Sequence, residues 1–486
     1  MRQSLMNTFT EIYILDLHGN SLKKEIAPDG SKDENVFDIR QGVAIALFVK
    51  MKNKKGLKVF HHDLFGLREE KYQWLDKNEF QLKNYKKIKP ETPYYFLIQR
   101  QTEDIKKYLE WRRINDIFPL NSVGIVTSRD EFVIDFEKKQ LKNRMLQFRN
   151  PAQSDDIISK AFNLKDKSNW KISTARKQVQ SLDNYEDHIE EILYRPFDKR
   201  YIFYHSSVIE RMRQEVIRHM LEGKNLGLAW TRPQSPKFEF SVLTTDLIID
   251  QCVVGNKIAG AGISYLGPLY LYHAKESNRR PSSTIMMVFD EQAKYYVCKP
   301  NIDAMLYEEL HKAFKKKPTP EDILYYIYGI FYSNTYREKY AEFLKIDFPR
   351  VPFTSDYELF MQIGKFGKQL AELHLLKSER LNKPIARFQG AGENDRIEKV
   401  QYLEKDQRID INQDKFFEGI PPEVWNYHIG GYQVCNKWLK DRKSRLLSLT
   451  EIEVYCKIIT AIHFTIKIQK EIDPIYENVE NSILIV

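Results

Sequence analysis

A chain of 486 residues, at roughly 150 residues per domain, has room for two to four domains and an ample core, which excludes a small stapled scaffold; its net charge of +9, with Lys and Arg interleaved among 13% aromatics, suits a surface that meets phosphates, although many basic proteins bind no nucleic acid. Cys252, Cys298, Cys435 and Cys456 stand far apart with no Cys-x-x-Cys pair, excluding a disulfide framework and a thiolate zinc site and pointing to a reducing cytoplasm. No apolar run is long enough to span a bilayer, and the N-terminal stretch lacks the regions of a secretory signal, so no membrane is expected as a partner.

Residues 2–9 read as the end of a helix and Glu11 to Leu17 as a short apolar strand. A polar loop through Pro28, Asp29 and Gly30 leads to a second strand, Gly42 to Val49, apolar enough to be buried. Helix, strand, loop, strand is a piece of an α/β sheet, too small to be a whole one, because a parallel sheet needs several strands covered on both faces. Lys50 to Lys58 reads as a solvated turn, with a DNA-facing loop as the alternative. His61 and His62, adjacent on a strand, point to opposite faces, which favours one buried and one solvated histidine over a metal-binding pair. From there to about Leu193, short strands (Tyr94 to Ile98, Val123 to Val126, Phe132 to Phe136) mix with charged helices such as Asp104 to Arg113. This is an α+β connecting region without a catalytic signature, in which Glu137-Lys138-Lys139 is a common string.

Tyr194-Arg195-Pro196-Phe197-Asp198-Lys199-Arg200 introduces an aromatic strand ending near Tyr204, and a basic helix follows over about 210–221. The donor-rich loop Thr231 to Lys237 is stiffened by Pro233 and Pro236. Arginine reads guanine bidentately, Asn and Gln read adenine, and lysines hold phosphates, so Arg195, Arg200, Arg211, Arg213, Arg232, Gln234 and Lys237 are the candidate DNA-binding residues. An ordinary surface turn is the alternative for the loop, and an ion pair with Asp198 the alternative for Arg195. Tyr201, Tyr325 and Tyr340 read as core.

Further on, Thr319 is an N-cap, Pro320 the first helical residue and Asp322 an acidic first-turn residue. Leu324, Ile327, Tyr328 and Phe331 then recur on one helical face. Thr335 and Glu338 offer a capping box for a second helix, which packs by Tyr336, Tyr340, Phe343 and Leu344. Asp347 to Pro352 follows as a stiff extended strap, since each proline forces its predecessor out of helical geometry. Residues 386–394 read as a flexible link, 450–468 as a final helix, and Asp473-Pro474-Ile475-Tyr476 as a helix stop.

The Tyr336-Arg337-x-x-Tyr340 helix running into Phe343-Leu344-Lys345-x-Asp347-Phe348-Pro349-Arg350-x-Pro352 resembles the C-terminal part of large restriction-modification polypeptides, the type ISP and related type IIG enzymes. Arg195-Pro196-Phe197-Asp198-x-Arg200, the tract Asn35 to Ile45, the strand Gly267 to Tyr272 (with glycine where the family has phenylalanine) and the tract Gly431 to Arg442 continue the resemblance. In that family a γ-type adenine-N6 DNA methyltransferase domain precedes a target recognition domain. The resemblance therefore implies an α/β and α+β fold: a partial Rossmann-like sheet at 1–62, an α+β connector at 63–193, the target recognition domain at 194–385 and its C-terminal helical part at 386–486. The chain is expected to begin inside the methyltransferase domain.

Such an enzyme needs a glycine turn to cradle S-adenosylmethionine and an Asn/Asp-Pro-Pro-Tyr/Phe loop to hold a flipped adenine. Gly260-Ala261-Gly262 and Gly390-Ala391-Gly392 read as plain turns, and Asp473-Pro474-Ile475-Tyr476 lacks the second proline. This chain alone is thus expected to carry no catalytic or metal site, to bind no cofactor, and to grip double-stranded DNA without methylating it. Two alternatives stay open: one subunit of a split, active methyltransferase completed by a separate polypeptide that carries the catalytic motifs, and an inactive remnant of an interrupted gene.

Overall fold

The structure, a computed structural model, describes residues 1–21, 25–52, 56–92, 95–98, 102–232, 240–255, 263–274, 296–345 and 347–484. It forms two compact units, Met1–Lys107 and Tyr108–Val486. No helix among the described residues is long and apolar enough to cross a membrane. The fold is mixed α and β, with several small sheets and long C-terminal helices.

In the first unit β1 (Glu11–Asp16), β2 (Ala44–Val49), β3 (Lys58–Asp63) and β4 (Lys86–Ile88) form one sheet in the order β2-β1-β3-β4. The β1–β3 pairing is parallel and the other two are antiparallel. Alternation along β1 sends Ile12 and Ile14, with Val59, under Leu5, Met6 and Phe9 on one face. Leu15 and Leu17 lie on the other face under Trp74 and Leu75 from the helix Arg68–Lys77. β2 departs from the sequence expectation of burial: Ile45, Leu47 and Phe48 are 42%, 47% and 38% exposed. It occupies the edge of the sheet, where Phe9 from the layer over β1 reaches Phe48, the ring centroids 5.1 Å apart. His61 is buried and His62 half-buried against Trp74 and Tyr85. The loop after β1 is pinned by a buried ion pair in which Lys71 Nζ lies 2.7 Å from Asp33 Oδ1, while the Asp33 carboxylate also accepts the N–H groups of Gly19 and Gly66.

In the second unit, Ile189–Arg195 and Asp198–Phe203 form a hairpin flanked by Ile248–Ile249 and Ile134–Asp135. Gly227–Arg232 lies between Val242–Thr245 and Ile263–Pro268, and Ser122–Val123 completes that sheet. The segment after Val123 ties the two sheets together, because Gly124 donates to Ser264 and Ile125 pairs with Asp250. Of Phe132 to Phe136, expected as a strand, Phe132 and Val133 end the short helix Asp130–Val133, and Ile134–Asp135 is a strand.

The helix Pro320–Tyr332 starts as its sequence predicts, Thr319 and Asp322 forming a reciprocal capping box. It crosses the helix Tyr357–His374 so closely that a Cβ added to Gly367 would stand 1.8 Å from the carbonyl oxygen of Tyr325. The next helix, Asn334–Lys339, is capped by Ser333 and not by Thr335. The reason is tertiary: the Asp473 carboxylate accepts the N–H groups of Asn334 (2.7 Å) and Thr335 (3.1 Å) from 138–139 residues away. Nor is Pro474 a helix stop, for Leu449–Asn481 is one helix running through it. A proline there forfeits one main-chain hydrogen bond, but buried Ile472, Tyr476 and Val479 and the clamped Asp473 hold the helix together across it.

The strap is extended, as expected, and is tied down along its length. Arg350–Val351 pairs with Arg112–Arg113, Tyr336 donates to the Arg350 carbonyl (2.7 Å), and the Arg350 guanidinium donates to the carbonyls of Leu109 and Trp111. The helix read as Asp104 to Arg113 accordingly ends at Glu110. The stretch read as a flexible link contains Arg387–Gly390, the first strand of a four-stranded sheet whose other members are Gln401–Leu403, Arg408–Asp410 and Lys415–Glu418.

Candidate nucleic-acid interface

Arg195 ends its strand 7% exposed, its Nη1 2.7 Å from Asp250 Oδ1 and its guanidinium stacked 3.8 Å over the Tyr194 ring. Arg200 grips Asp198 with Nε (2.9 Å) and Nη2 (2.7 Å), and Arg442 reaches the other carboxylate oxygen at 2.9 Å. Asp198, expected beside Arg195, is thus held by two other arginines. Burial pushes the Asp198 carboxyl up, and Arg442 and Arg200 outweigh that and hold it below the usual carboxylate range. Phe136 lies under Arg200, Arg442 and Arg445. This Arg–Asp–aromatic knot joins the 189–203 hairpin to the helix Val434–Lys440 and its C-cap Asp441, and the charges of Arg195 and Arg200 are used inside the protein.

Arg211 is exposed, its main chain bridged to Val126. Arg213 takes a left-handed conformation (φ 56°) as N-cap of the helix Gln214–Leu221. Arg232 is exposed at the end of its strand, 5.2 Å over the Phe348 ring. Gln234, Lys237 and Gly260-Ala261-Gly262 lie outside the described residues. Near Arg211 the structure adds cations that the sequence did not single out. An open cleft of about 530 Å³ is lined by Arg129, Lys165 and Lys167, the last two exposed. Arg129 stacks 3.7 Å over Trp170, and Glu210 lies within the fields of Lys167, Arg129 and Arg211. A hydrogen bond from Ser128, then these cations, hold the Glu210 carboxyl below its ordinary range. Four cations thus stand around this carboxylate and its cleft, whose lining also includes Asp130 and Glu131. In the sequence they are scattered over 83 positions, with no local pattern to mark them.

Gly390 and the Asp473–Tyr476 tract take up structural positions in the fold. Gly390 has φ +120°, and an added Cβ would stand 1.9 Å from the Asp414 carbonyl, so the backbone there is closed off by its own hairpin. Asp473 is committed to the helix cap described above, and Tyr476 is fully buried. Glu137 is the N-cap of the helix Lys138–Arg149. The described residues include one group of metal-ligating type, Asp16, His61 and Asp63, where His18 bridges Asp63 (2.9 Å) and Glu25 (3.0 Å).

A family model described as the Type ISP C-terminal specificity domain matches residues 116–471. No curated protein matches the chain. Among solved structures, it resembles the ATP-dependent Type ISP restriction-modification enzyme LlaBIII bound to DNA, with TM-score 0.64 and 22% identity over 97% of this chain and 31% of that one. A nuclease-deletion mutant of the Type ISP restriction-modification enzyme LlaGI with a DNA substrate mimic gives TM-score 0.61, 20% identity, and 97% and 37% coverage. The DrdV–DNA complex gives 0.64, 21%, and 97% and 48%. The chain therefore spans 31–48% of the length of these enzymes and shares the fold of that part. Matched over most of its length by that family model, it belongs to the Type ISP C-terminal specificity domain family.

Proposed function

We propose that the chain is the sequence-specific DNA-recognition part of a restriction-modification adenine-N6 methyltransferase, working in the cytoplasm on double-stranded DNA. The observation that carries this reading is the specificity-domain match over residues 116–471. The three similar structures, each holding DNA or a mimic of it, support it. Exposed Arg211 and Arg232, with Arg213 and the loop residues Gln234 and Lys237, are the proposed readers of DNA. Lys165 and Lys167 hold phosphates, and Arg195 and Arg200 act indirectly, by fixing the hairpin that carries the interface. Residues 1–62 are proposed to be the end of a methyltransferase α/β domain, and S-adenosylmethionine binds to polypeptide outside this chain.

Duplex binding by the purified chain over a salt series tests this. Each phosphate contact contributes about −0.9 to the slope of log K against log salt, so Lys165→Ala/Lys167→Ala flattens the slope by about two while leaving sequence preference unchanged. Binding that ignores both salt and sequence would overturn the reading.

A further inference from the structure

We propose that Asp16, His61 and Asp63, where the parallel strands β1 and β3 end, bind a divalent transition-metal ion of the zinc or manganese class. The site is built from other residues than those assigned above to DNA, so it stands or falls independently of that reading.

The strand register brings the three together. β1 and β3 pair with Ile14 beside His61 and Asp16 beside Asp63. Side chains two residues apart share a face, so Asp16, His61 and Asp63 continue the face that begins with Ile12, Ile14 and Val59. Ligands of α/β sheets sit outside the carboxyl ends of parallel strands, which is where these residues lie. The His61 side chain forms the floor, 3% exposed, and those of Asp16 and Asp63 form a rim, 27% and 39% exposed, that an ion can reach from solvent.

One donor atom from each of the three lies within 4.8 Å of the other two. His61 Nδ1 is 3.5 Å from Asp63 Oδ2, too far for a good hydrogen bond. Two donors that each stand about 2.1 Å from one tetrahedral ion are about 3.4 Å apart, so this spacing suits two ligands of a common ion. His61 Nε2 is buried with no hydrogen-bond partner among the described residues. Enclosing an imidazole without a hydrogen bond is unfavourable, and coordination through one nitrogen offsets that loss. Hydrogen bonds within the cluster satisfy its other members only in part. His18 Nε2 lies 2.9 Å from Asp63 Oδ1 and its Nδ1 3.0 Å from Glu25 Oε1, while its main-chain N–H donates to Asp16 Oδ1. No described lysine or arginine forms an ion pair with Asp16, Glu25 or Asp63, so three carboxylates converge on two imidazoles, and the surplus of negative charge favours a cation. The Glu25–His18 pair then orients the Asp63 carboxylate, as outer groups orient metal ligands. One imidazole with two carboxylates suits zinc or manganese, whereas magnesium and calcium prefer oxygen throughout.

The test uses the full chain, stripped of metal by a chelator and dialysed against zinc, manganese or magnesium chloride. Elemental analysis should find one zinc or manganese ion per chain, and X-ray absorption at the zinc edge should show nitrogen and oxygen ligands with one imidazole. Amides 11–16 and 58–63 should exchange at least about tenfold more slowly with the ion than without it. The double variant Asp16→Asn/Asp63→Asn, which keeps the side-chain shapes, should lose both the ion and the added protection. A wild-type chain that retains no ion, an ion retained undiminished by the double variant, or sulfur or a second imidazole at the zinc edge overturns the site. Magnesium held as tightly as zinc overturns the class of ion. The absorption spectrum and the exchange pattern are read on the wild-type chain, so a variant that fails to fold leaves both able to refute the proposal.

Discussion

The crossing of Pro320–Tyr332 with Tyr357–His374 gives two glycine substitutions with opposite expected signs. At Gly367 a methyl group would stand 1.8 Å from Tyr325 O, 2.7 Å from Tyr325 C and 2.9 Å from Gly329 N, all main-chain atoms that no rotamer change can move. At Gly364, one turn earlier, its nearest neighbours would be Asp322 O at 3.8 Å and Tyr326 N at 3.9 Å, ordinary contact distances. Inside a helix, Gly→Ala gains about 1 kcal/mol of propensity where the space exists. Gly364→Ala should therefore stabilise the chain by about 0.5–1 kcal/mol. Gly367→Ala receives the same gain but must push two helices apart by more than about 1 Å, and overpacking of this kind costs about 1–3 kcal/mol or more. Its net effect should be a loss of about 1–2 kcal/mol. Urea denaturation of the two variants beside the wild type reads both signs. A Gly367→Ala variant as stable as Gly364→Ala would refute the close crossing and the placement of everything that rests on it.

Other substitutions probe buried charge and pH. Arg442→Met leaves Asp198 buried with Arg200 as its remaining ion-pair partner and should cost about 3–5 kcal/mol in chemical denaturation, whereas Lys165→Ala, on the surface, should change stability by less than about 0.5. Lys71→Met strands Asp33 in the first unit and should cost a similar 3–5 kcal/mol, read as early loss of hydrogen-exchange protection in residues 11–17. His374 is fully enclosed, with Nδ1 2.6 Å from the Tyr328 hydroxyl and Nε2 2.9 Å from Thr465 Oγ1. Burial first, and the Arg337 guanidinium second, hold its pKa down to about 3 against an ordinary 6.5. Between those values the unfolded chain binds the extra proton, so stability falls as pH drops below 6.5. The loss from this residue reaches about 2 kcal/mol at pH 5, and His374→Gln should remove that part of the slope.

What the sequence revealed was local. The capping box at Thr319 and Asp322 involves atoms three residues apart, and it stands as read. The cap expected at Thr335, the stop expected at Pro474 and the link expected at 386–394 differ from the structure because their settings are made by residues far away: Asp473 caps a helix 139 positions earlier, and Arg387–Gly390 becomes a strand only through Lys415–Glu418. The candidate site followed the same division. Arginine content drew attention to the 195–232 tract, yet whether an arginine faces water depends on distant acids: Asp250 lies 55 positions from Arg195, and Asp198 lies 244 from Arg442. The exposure of Ile45 and Leu47 on β2 is equally non-local, since the composition of a strand does not say whether it lies at a sheet's edge.

Selection of this chain against a library of duplexes with a randomised centre, at physiological salt, tests the central claim most directly. Recognition predicts one short enriched sequence, bound about 10³-fold or more tighter than unrelated duplex, with the preference weakened by Arg211→Ala or Arg232→Ala. A library that emerges unenriched while the chain remains folded would contradict it.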